Sequence, residues 1–367
     1  MPAVDHPFFG TEKRQPLEGN FRLEEVGLAN RNSGILLEAL RHDVTPAGLH
    51  YLLIHFDVPY VPAPETWTLR IGGHVRTPVE LSLDAIKALP QRTLRVTLEC
   101  AGNGRARMSP RPSSQPWDNG AVGTAEWTGT PLRNVLEQAG PTDDAVDVVF
   151  FGADRGFDAY TEHNYGRSLK PELAMHENVL LVYAMNGQPL LPQHGFPLRL
   201  IVPGWYGMAS VKWLDRIEVL NQPFEGHQQV GTYMIRKFTG DPGIPITHMR
   251  VKSLMVPPGI PDWYTRRRLV DQGQVEITGR AWSGGGVPIV KVEVSVNGEW
   301  REATLDSPTG AYAWRGWRFT WNAAVPGEYE LACRATDAEG QVQPMDSTWN
   351  TGGFCNNSVH RVQVTVR

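Results

Sequence analysis

Apolar and polar residues alternate with two different rhythms along the 367 residues of the chain. The first forty residues read as a polar lead-in that ends in a short amphipathic helix at N-R-N-S-G-I-L-L-E-A-L-R. Strand patterns begin at H-Y-L-L-I-H-F-D-V (residues 50–58) and W-T-L-R-I-G-G-H-V (67–75), the second broken by glycines. S-L-D-A-I-K-A-L-P predicts a compact helix with Ser82 as its N-cap and Pro90 just past its end. T-L-R-V-T-L-E predicts a strand that delivers Cys100 into a loop. T-P-L-R-N-V-L-E-Q-A-G predicts a helix starting at Thr130-Pro131 and closed by Gly140. D-V-V-F-F-G-A-D and V-L-L-V-Y-A-M read as buried strands, the first followed by a loop. This alternation of strands, short helices and long loops up to about residue 240 predicts a mixed α/β domain without a regular βαβ repeat.

Proline and glycine then gather at T-G-D-P-G-I-P-I-T and V-P-P-G-I-P, which marks a domain edge. Beyond it, V-E-I-T-G-R-A-W, V-K-V-E-V-S-V-N-G, W-R-F-T-W, Y-E-L-A-C-R-A-T-D and H-R-V-Q-V-T-V-R hold a period of two, with no helical stretch between them. About seven such strands in roughly 120 residues fit an immunoglobulin-like β-sandwich. The expected class is therefore α+β, with one domain over residues 1–242 and a sandwich over 243–367. Length agrees, because a chain of this size exceeds what one hydrophobic core usually supports.

Composition narrows the function classes. A formal net charge of −4 and 20% charged residues give no polyanion-binding bias, so nucleic acid is not an expected partner. The start M-P-A-V-D-H-P-F-F-G lacks the pattern of a signal peptide, and no window nears eighteen uninterrupted apolar residues. As given, the chain reads as cytoplasmic with no membrane span, or periplasmic if a leader was removed. Three cysteines, far apart, make neither a disulfide framework nor a CxxC pair. No G-x-G-x-x-G or Walker-type glycine loop follows a strand.

The chemistry gathers around Cys100, in V-T-L-E-C-A-G-N-G-R-A-R-M. A lone cysteine is most often a small buried hydrophobe. Here Gly102 and Gly104 permit close backbone approach, while Arg105 and Arg107 bring positive charge that favours a thiolate. Such a thiolate suits a metal ligand or a nucleophile. P-Q-H-G-F-P-L-R-L-I-V-P-G adds His194 and Arg199 at a proline-stiffened turn, and G-M-A-S-V-K-W-L adds Lys212. Taken singly, each has a plain structural explanation; together they offer donors for a phosphate-bearing cofactor.

The ordered motifs T-L-E-C-A-G-N-G-R, H-G-F-P-L-R-L-I-V-P-G and S-V-K-W-L resemble the sulfite oxidase family of molybdenum enzymes. The carboxy-terminal half resembles that family's dimerisation domain through G-R-A-W-S-G-G-G, A-W-R-G-W and W-N-T-G-G-F-C-N-N-S-V-H-R-V. The resemblance implies a molybdenum-molybdopterin cofactor, with Cys100 as the protein's thiolate ligand, a soft donor suited to this metal. It implies that His55 lies near the pterin and that Asp154 is an acidic pterin contact. His194, Arg199, Ser210, Val211 and Lys212 fall on positions that hold the pterin and its phosphate. Arg105 matches a substrate arginine and Tyr233 the tyrosine beside the reacting oxygen, with a preceding loop one residue longer than the family pattern. The implied activity is oxidation of sulfite to sulfate by oxygen-atom transfer.

Two substrate arginines do not carry over. Leu53 stands two residues before His55, and Gly352 occupies the arginine position of the W-N-T-G-G segment. A different substrate is the alternative, such as another sulfur compound, an S-oxide or N-oxide, or nitrate, with Arg107, Arg111, His163, His227 or Arg315 as candidates to restore charge. No C-x-x-C-H occurs and no haem domain is visible in the chain, so electrons are expected to pass to an external acceptor, a c-type cytochrome or dioxygen. A homodimer through the sandwich is expected from the resemblance. Outside this family, Cys100 paired with His55 or His194 would make a cysteine-nucleophile hydrolase. A tryptophan-rich sandwich also fits an adhesion protein, which leaves the first domain unexplained.

Overall fold

Two five-stranded sheets carry the first half of the chain in the computed structural model, which describes residues 21–158 and 161–367. The opening decapeptide and most of the polar lead-in lie outside the described residues. One sheet runs in the order Val79–Ser82, Thr68–Gly73, Leu214–Leu220, Asp147–Asp158 and Thr161–Leu169, with only the Thr68–Gly73 and Leu214–Leu220 pair parallel. The other pairs Arg92–Glu99 with Val122–Pro131, then Leu180–Met185, which is flanked by Gln188–Pro189 and Arg199–Ile201. The helix expected at residues 82–90 forms over Leu83–Lys87, and the Ser82 side chain accepts from Ala85 N at 3.2 Å. Lys252–Met255 begins a second pair of sheets, whose long strands Gly273–Trp282, Arg315–Ala323, Ile289–Val296, Gly327–Asp337 and His360–Val366 form a sandwich.

Four local expectations change. The helix expected over residues 30–41 is only a 3-10 turn at Leu37–Arg41, while an α-helix forms earlier, over Leu23–Arg31. Thr130 and Pro131 end a strand, and the following helix spans Arg133–Ala139, with Gly140 at φ +64° as its left-handed cap. The strand from Asp147 runs on to Asp158 through a bulge between Phe151 and Arg155, where a loop was expected. Residues 50–58 are not a strand: apart from an isolated Ser33–Leu52 bridge, they form a loop. Side chains satisfy its backbone instead, since Ile54 N donates to Asn32 Oδ1 (2.6 Å), Lys212 Nζ to Leu53 O (2.7 Å) and Arg31 Nη2 to His55 O (3.0 Å).

Two apolar clusters organise the interior. The larger is built mainly from residues 35–235 but also takes in Met249, Leu254, Trp282, Trp314, Phe354 and Cys355; the smaller fills the sandwich. The segment just before the last strand thus packs against the first half of the chain, and it reaches the loop that carries Cys100.

Candidate active site

The end of Arg92–Glu99 sets Cys100 in place. Its N–H donates to Ala121 O (2.9 Å), and its carbonyl accepts from Asn103 N (2.9 Å), so a tight turn follows it. Gly104 closes that turn at φ +84°, a conformation that L side chains rarely adopt. The second half of the chain clamps the turn from outside: Cys355 N donates to Ala101 O (2.7 Å) and Asn356 Nδ2 to Gly104 O (2.8 Å). Beneath it lies a buried ion pair. Lys252 Nζ reaches Glu99 Oε1 at 3.0 Å with both side chains 1% exposed. Trp282 Nε1 (2.9 Å) and Asn103 Nδ2 (2.9 Å) also donate to the Glu99 carboxylate.

Cys100 faces two cavities at once. The inner one, of about 650 Å³, is lined by His55, Asp154, His194, Arg199, Ser210, Lys212 and Tyr233, together with His50, Tyr51, Tyr165 and Trp213. The outer one, of about 850 Å³, shares Leu53, His55, Cys100 and Tyr233 and adds Arg31, Arg105, Trp117 and Phe354. All but one of the residues expected at the site therefore converge on these cavities. The exception is Val211, which is buried (1% exposed) and absent from either wall; it is held instead in the backbone ladder through Leu200 N. Ser210 lines the inner cavity, but its Oγ already accepts from Val202 N (3.1 Å).

The bulge before Arg155 explains Asp154. A Cβ on Gly152 would overlap Asp154 Oδ1 and Lys212 O, so glycine there lets the carboxylate fold inward, where it is 4% exposed. Burial raises the Asp154 pKa to about 7 against the pull of Lys212. Burial, with Arg199 adding repulsion, lowers Lys212 to about 7. His55 and His194 are pushed by burial to about 3 and about 4, so both are neutral imidazoles at neutral pH. His55 Nε2 pairs with Tyr233 Oη at 2.7 Å, and burial raises the pKa of that phenol.

These residues fit a molybdopterin cofactor. Arg199 donates through Nη1 to His194 O (2.9 Å) and Nη2 to Ser210 O (3.3 Å), yet its buried Nε has no partner among the described residues. A buried unpaired N–H calls for a ligand acceptor. Among the described residues, no group of three His, Cys, Asp or Glu side chains could hold a metal. A metal at Cys100 would thus draw its other ligands from an organic group. Lys212, Arg199 and His194 would hold that group's polar and anionic edge. The thiol itself differs from expectation: burial raises the Cys100 pKa and outweighs the lowering by Arg105. Arg107 does not help, because it points outward and pairs with Asp118. A metal cation would supply the charge that makes the thiolate.

Because Lys212 and Asp154 both titrate near neutrality, anion binding in the inner cavity of metal-free protein is expected to weaken as pH rises. Below about pH 7 Lys212 carries its proton and Asp154 is neutral; above it the cation is lost and a negative charge appears. Calorimetric titration with sulfate, whose charge is fixed across this range, should show affinity falling through pH 7. Lys212→Met should remove most of that slope.

Of the candidates to replace the missing arginines, none faces either cavity. Arg111 is bound to Glu25 (2.6 Å), Arg315 to Asp306 O (2.7 Å) and Ile289 O (2.8 Å), His163 to Gln228 (2.6 Å) and His227 to Asp158 (3.0 Å). Arg31 faces the outer cavity instead. It was missed because its place depends on a loop 24 residues further on, through His55 O. The hydrolase pairing is not formed either: His55 is engaged by Tyr233 and His194 by Ala47 O (3.2 Å), with no Cys100–His hydrogen bond among the described residues.

Fold and site together define a molybdopterin-binding oxidoreductase. The profile "Oxidoreductase molybdopterin binding domain" matches residues 55–228, and "Mo-co oxidoreductase dimerisation domain" matches 244–367. The chain is 36% identical to mitochondrial sulfite oxidase of Mus musculus over 88% of its own length and 62% of that protein's. It is 35% identical to sulfite oxidase of Gallus gallus (98% of the chain, 80% of that protein). With nitrate reductase [NADH] 2 of Phaseolus vulgaris it shares 33% identity, covering 90% of the chain and 40% of that protein. The crystal structure of the sulfane dehydrogenase SoxCD from Paracoccus pantotrophus superposes with a TM-score of 0.77 at 24% identity (99% of this chain, 92% of that one), a likeness of fold. The chain belongs to the sulfite oxidase and nitrate reductase family of molybdenum-cofactor oxidoreductases. It spans about 62% of the length of the mouse enzyme. Among the described residues no helix is long and apolar enough to cross a membrane.

Proposed function

We propose that the chain oxidises a sulfur oxyanion by oxygen-atom transfer, in the simplest case sulfite to sulfate, with Cys100 as the thiolate ligand of molybdenum. When bound, the cofactor supplies two-electron oxygen-atom transfer, and the balance is SO₃²⁻ + H₂O → SO₄²⁻ + 2H⁺ + 2e⁻. The observation that carries this reading is Arg105. It is 4% exposed, it lines the outer cavity beside Cys100, and among the described residues both its hydrogen bonds go to backbone carbonyls, Gly352 O and Gln115 O. A buried cation without a carboxylate partner is matched to an anionic ligand. Tyr233 Oη, kept protonated by burial, lines both cavities and is paired with His55 Nε2, so this pair can hold or pass a proton beside Cys100. The inner cavity holds the cofactor through Lys212, Arg199, His194 and Asp154, while the outer cavity admits the substrate.

The domain division at residues 242/243 belongs to this proposal, supported by the smaller apolar cluster, which lies wholly within Val251–Val366, while the larger one reaches across the boundary. So do a homodimer formed through the sandwich, in keeping with the profile matched by residues 244–367, and an external electron acceptor such as a c-type cytochrome or dioxygen.

Arg105→Gln tests the anion role. Losing one charged hydrogen bond to an oxyanion should weaken apparent affinity for sulfite by about 1.5–3 kcal/mol, roughly 10- to 150-fold. Affinity for a neutral sulfur substrate should change far less. Equal losses for both would argue against an oxyanion contact.

A further inference from the structure

Apolar side chains make up one part of the outer cavity's wall, beside polar groups such as Ser114, Gln115 and Thr232. Leu28, Leu53, Ile54, Phe56, Trp117 and Phe354 line it, and the exposed ring of Phe157 adds to the apolar wall. Three charged side chains face it: Arg31, Asp158 and Arg105. Arg31 is exposed and donates to His55 O, while Asp158 binds His227. Arg105 is therefore the one buried cation among the described residues of this cavity. Its Nε and Nη1 are held at 2.8 Å by Gly352 O and Gln115 O, which leaves Nη2, packed against Gly102, as the guanidinium nitrogen without a hydrogen bond among the described residues. Phe354 packs under its guanidinium at 5.1 Å. A Cβ at Gly352 would overlap that ring, so the aromatic wall and a side chain at residue 352 exclude each other.

One buried cation compensates one negative charge. An apolar wall penalises hydrated oxygens that find no partner and favours carbon. A ligand with a single charge next to sulfur and an apolar substituent meets both conditions. We propose that this site takes organic sulfinates, R–SO₂⁻ with an aryl or bulky alkyl R, and oxidises them to sulfonates. The inference rests on the sulfur-oxyanion reading above and names its substrate class. The sulfinate sulfur keeps a lone pair and forms one new S–O bond, with oxygen drawn ultimately from water: R–SO₂⁻ + H₂O → R–SO₃⁻ + 2H⁺ + 2e⁻. The electrons leave through the cofactor to a one-electron external acceptor, and no C–S bond breaks. Arg105 Nη2 holds the sulfinate oxygens, while R lies against Leu53, Trp117 and Phe354.

The test uses holoenzyme with ferricyanide as acceptor and compares benzenesulfinate, methanesulfinate and sulfite. A second readout, independent of turnover, is calorimetric binding of benzenesulfonate to metal-free protein. Burying a phenyl in place of a methyl should raise kcat/KM at least roughly tenfold for benzenesulfinate over methanesulfinate. Benzenesulfonate should bind and methanesulfonate bind more weakly. Phe157→Ala, at an exposed position of the wall, should cut the preference for benzenesulfinate over methanesulfinate several-fold. Leu53→Arg should move the preference toward sulfite at least roughly tenfold, one charged hydrogen bond's worth. Sulfite turnover without any aryl preference, or no binding of benzenesulfonate, would overturn the sulfinate assignment and leave the sulfur-oxyanion reading standing. Molybdenum-loaded enzyme reduced by none of the three compounds would overturn both.

Discussion

Cys100→Ser is expected to leave the protein folded while lowering turnover by more than about 100-fold, since removing even an outer-shell partner of a metal ligand typically costs 10- to 100-fold. The fold should survive because Cys100 is held by its backbone, through Ala121 O and Asn103 N, and serine is no larger. The chemistry should not, because a hydroxyl is a harder and far less acidic donor than a thiol. Molybdenum content, the thiolate-to-molybdenum absorption band and the thermal midpoint separate the possibilities. Near-native turnover in the serine variant would remove Cys100 from the metal's ligands.

The second large effect lies beneath that residue. Lys252→Met should destabilise the protein by about 3–5 kcal/mol, since it leaves the Glu99 carboxylate buried at 1% exposure without its cation. Trp282 and Asn103 would still donate to it but carry no charge. Replacing both partners, with Glu99→Gln and Lys252→Met, should recover much of the loss, because a neutral pair removes the uncompensated ion. Equilibrium denaturation measures both. Because the uncompensated Glu99 carboxylate adjoins Cys100 and disfavours its thiolate, the single variant should also make the Cys100 thiol of metal-free protein less reactive toward an alkylating reagent. Equal stability of the single and double variants would show that the ion pair is not what ties the two halves of the chain together here.

What the sequence made legible was mainly local. Ser82 caps its helix and Gly140 ends the next one because a side-chain oxygen or a missing Cβ acts within a few residues. Cys100 stood out because a strand ended there and glycines followed. Residues 50–58 misled: their apolar run reads as a strand, but Asn32, Arg31 and Lys212, distant in sequence, supply the backbone's partners. The same distance hid Arg31 and concealed that Arg107 turns to Asp118. The thiolate expected at Cys100 failed for a related reason, because nearby arginines are visible in a sequence and burial is not. The apolar substrate wall needs Leu53, Trp117 and Phe354 to meet across 301 positions of chain, from 53 to 354, and no short pattern encodes that.

On this reading a sulfur oxyanion delivers electrons to a metal held by Cys100. Anaerobic addition of sulfite, then of benzenesulfinate, to protein of known molybdenum content tests it most directly. The thiolate-to-molybdenum band should bleach, a transient paramagnetic Mo(V) signal should appear on partial reoxidation, and Cys100→Ser should show neither change. A fully loaded protein whose absorption is unchanged by both compounds would contradict it.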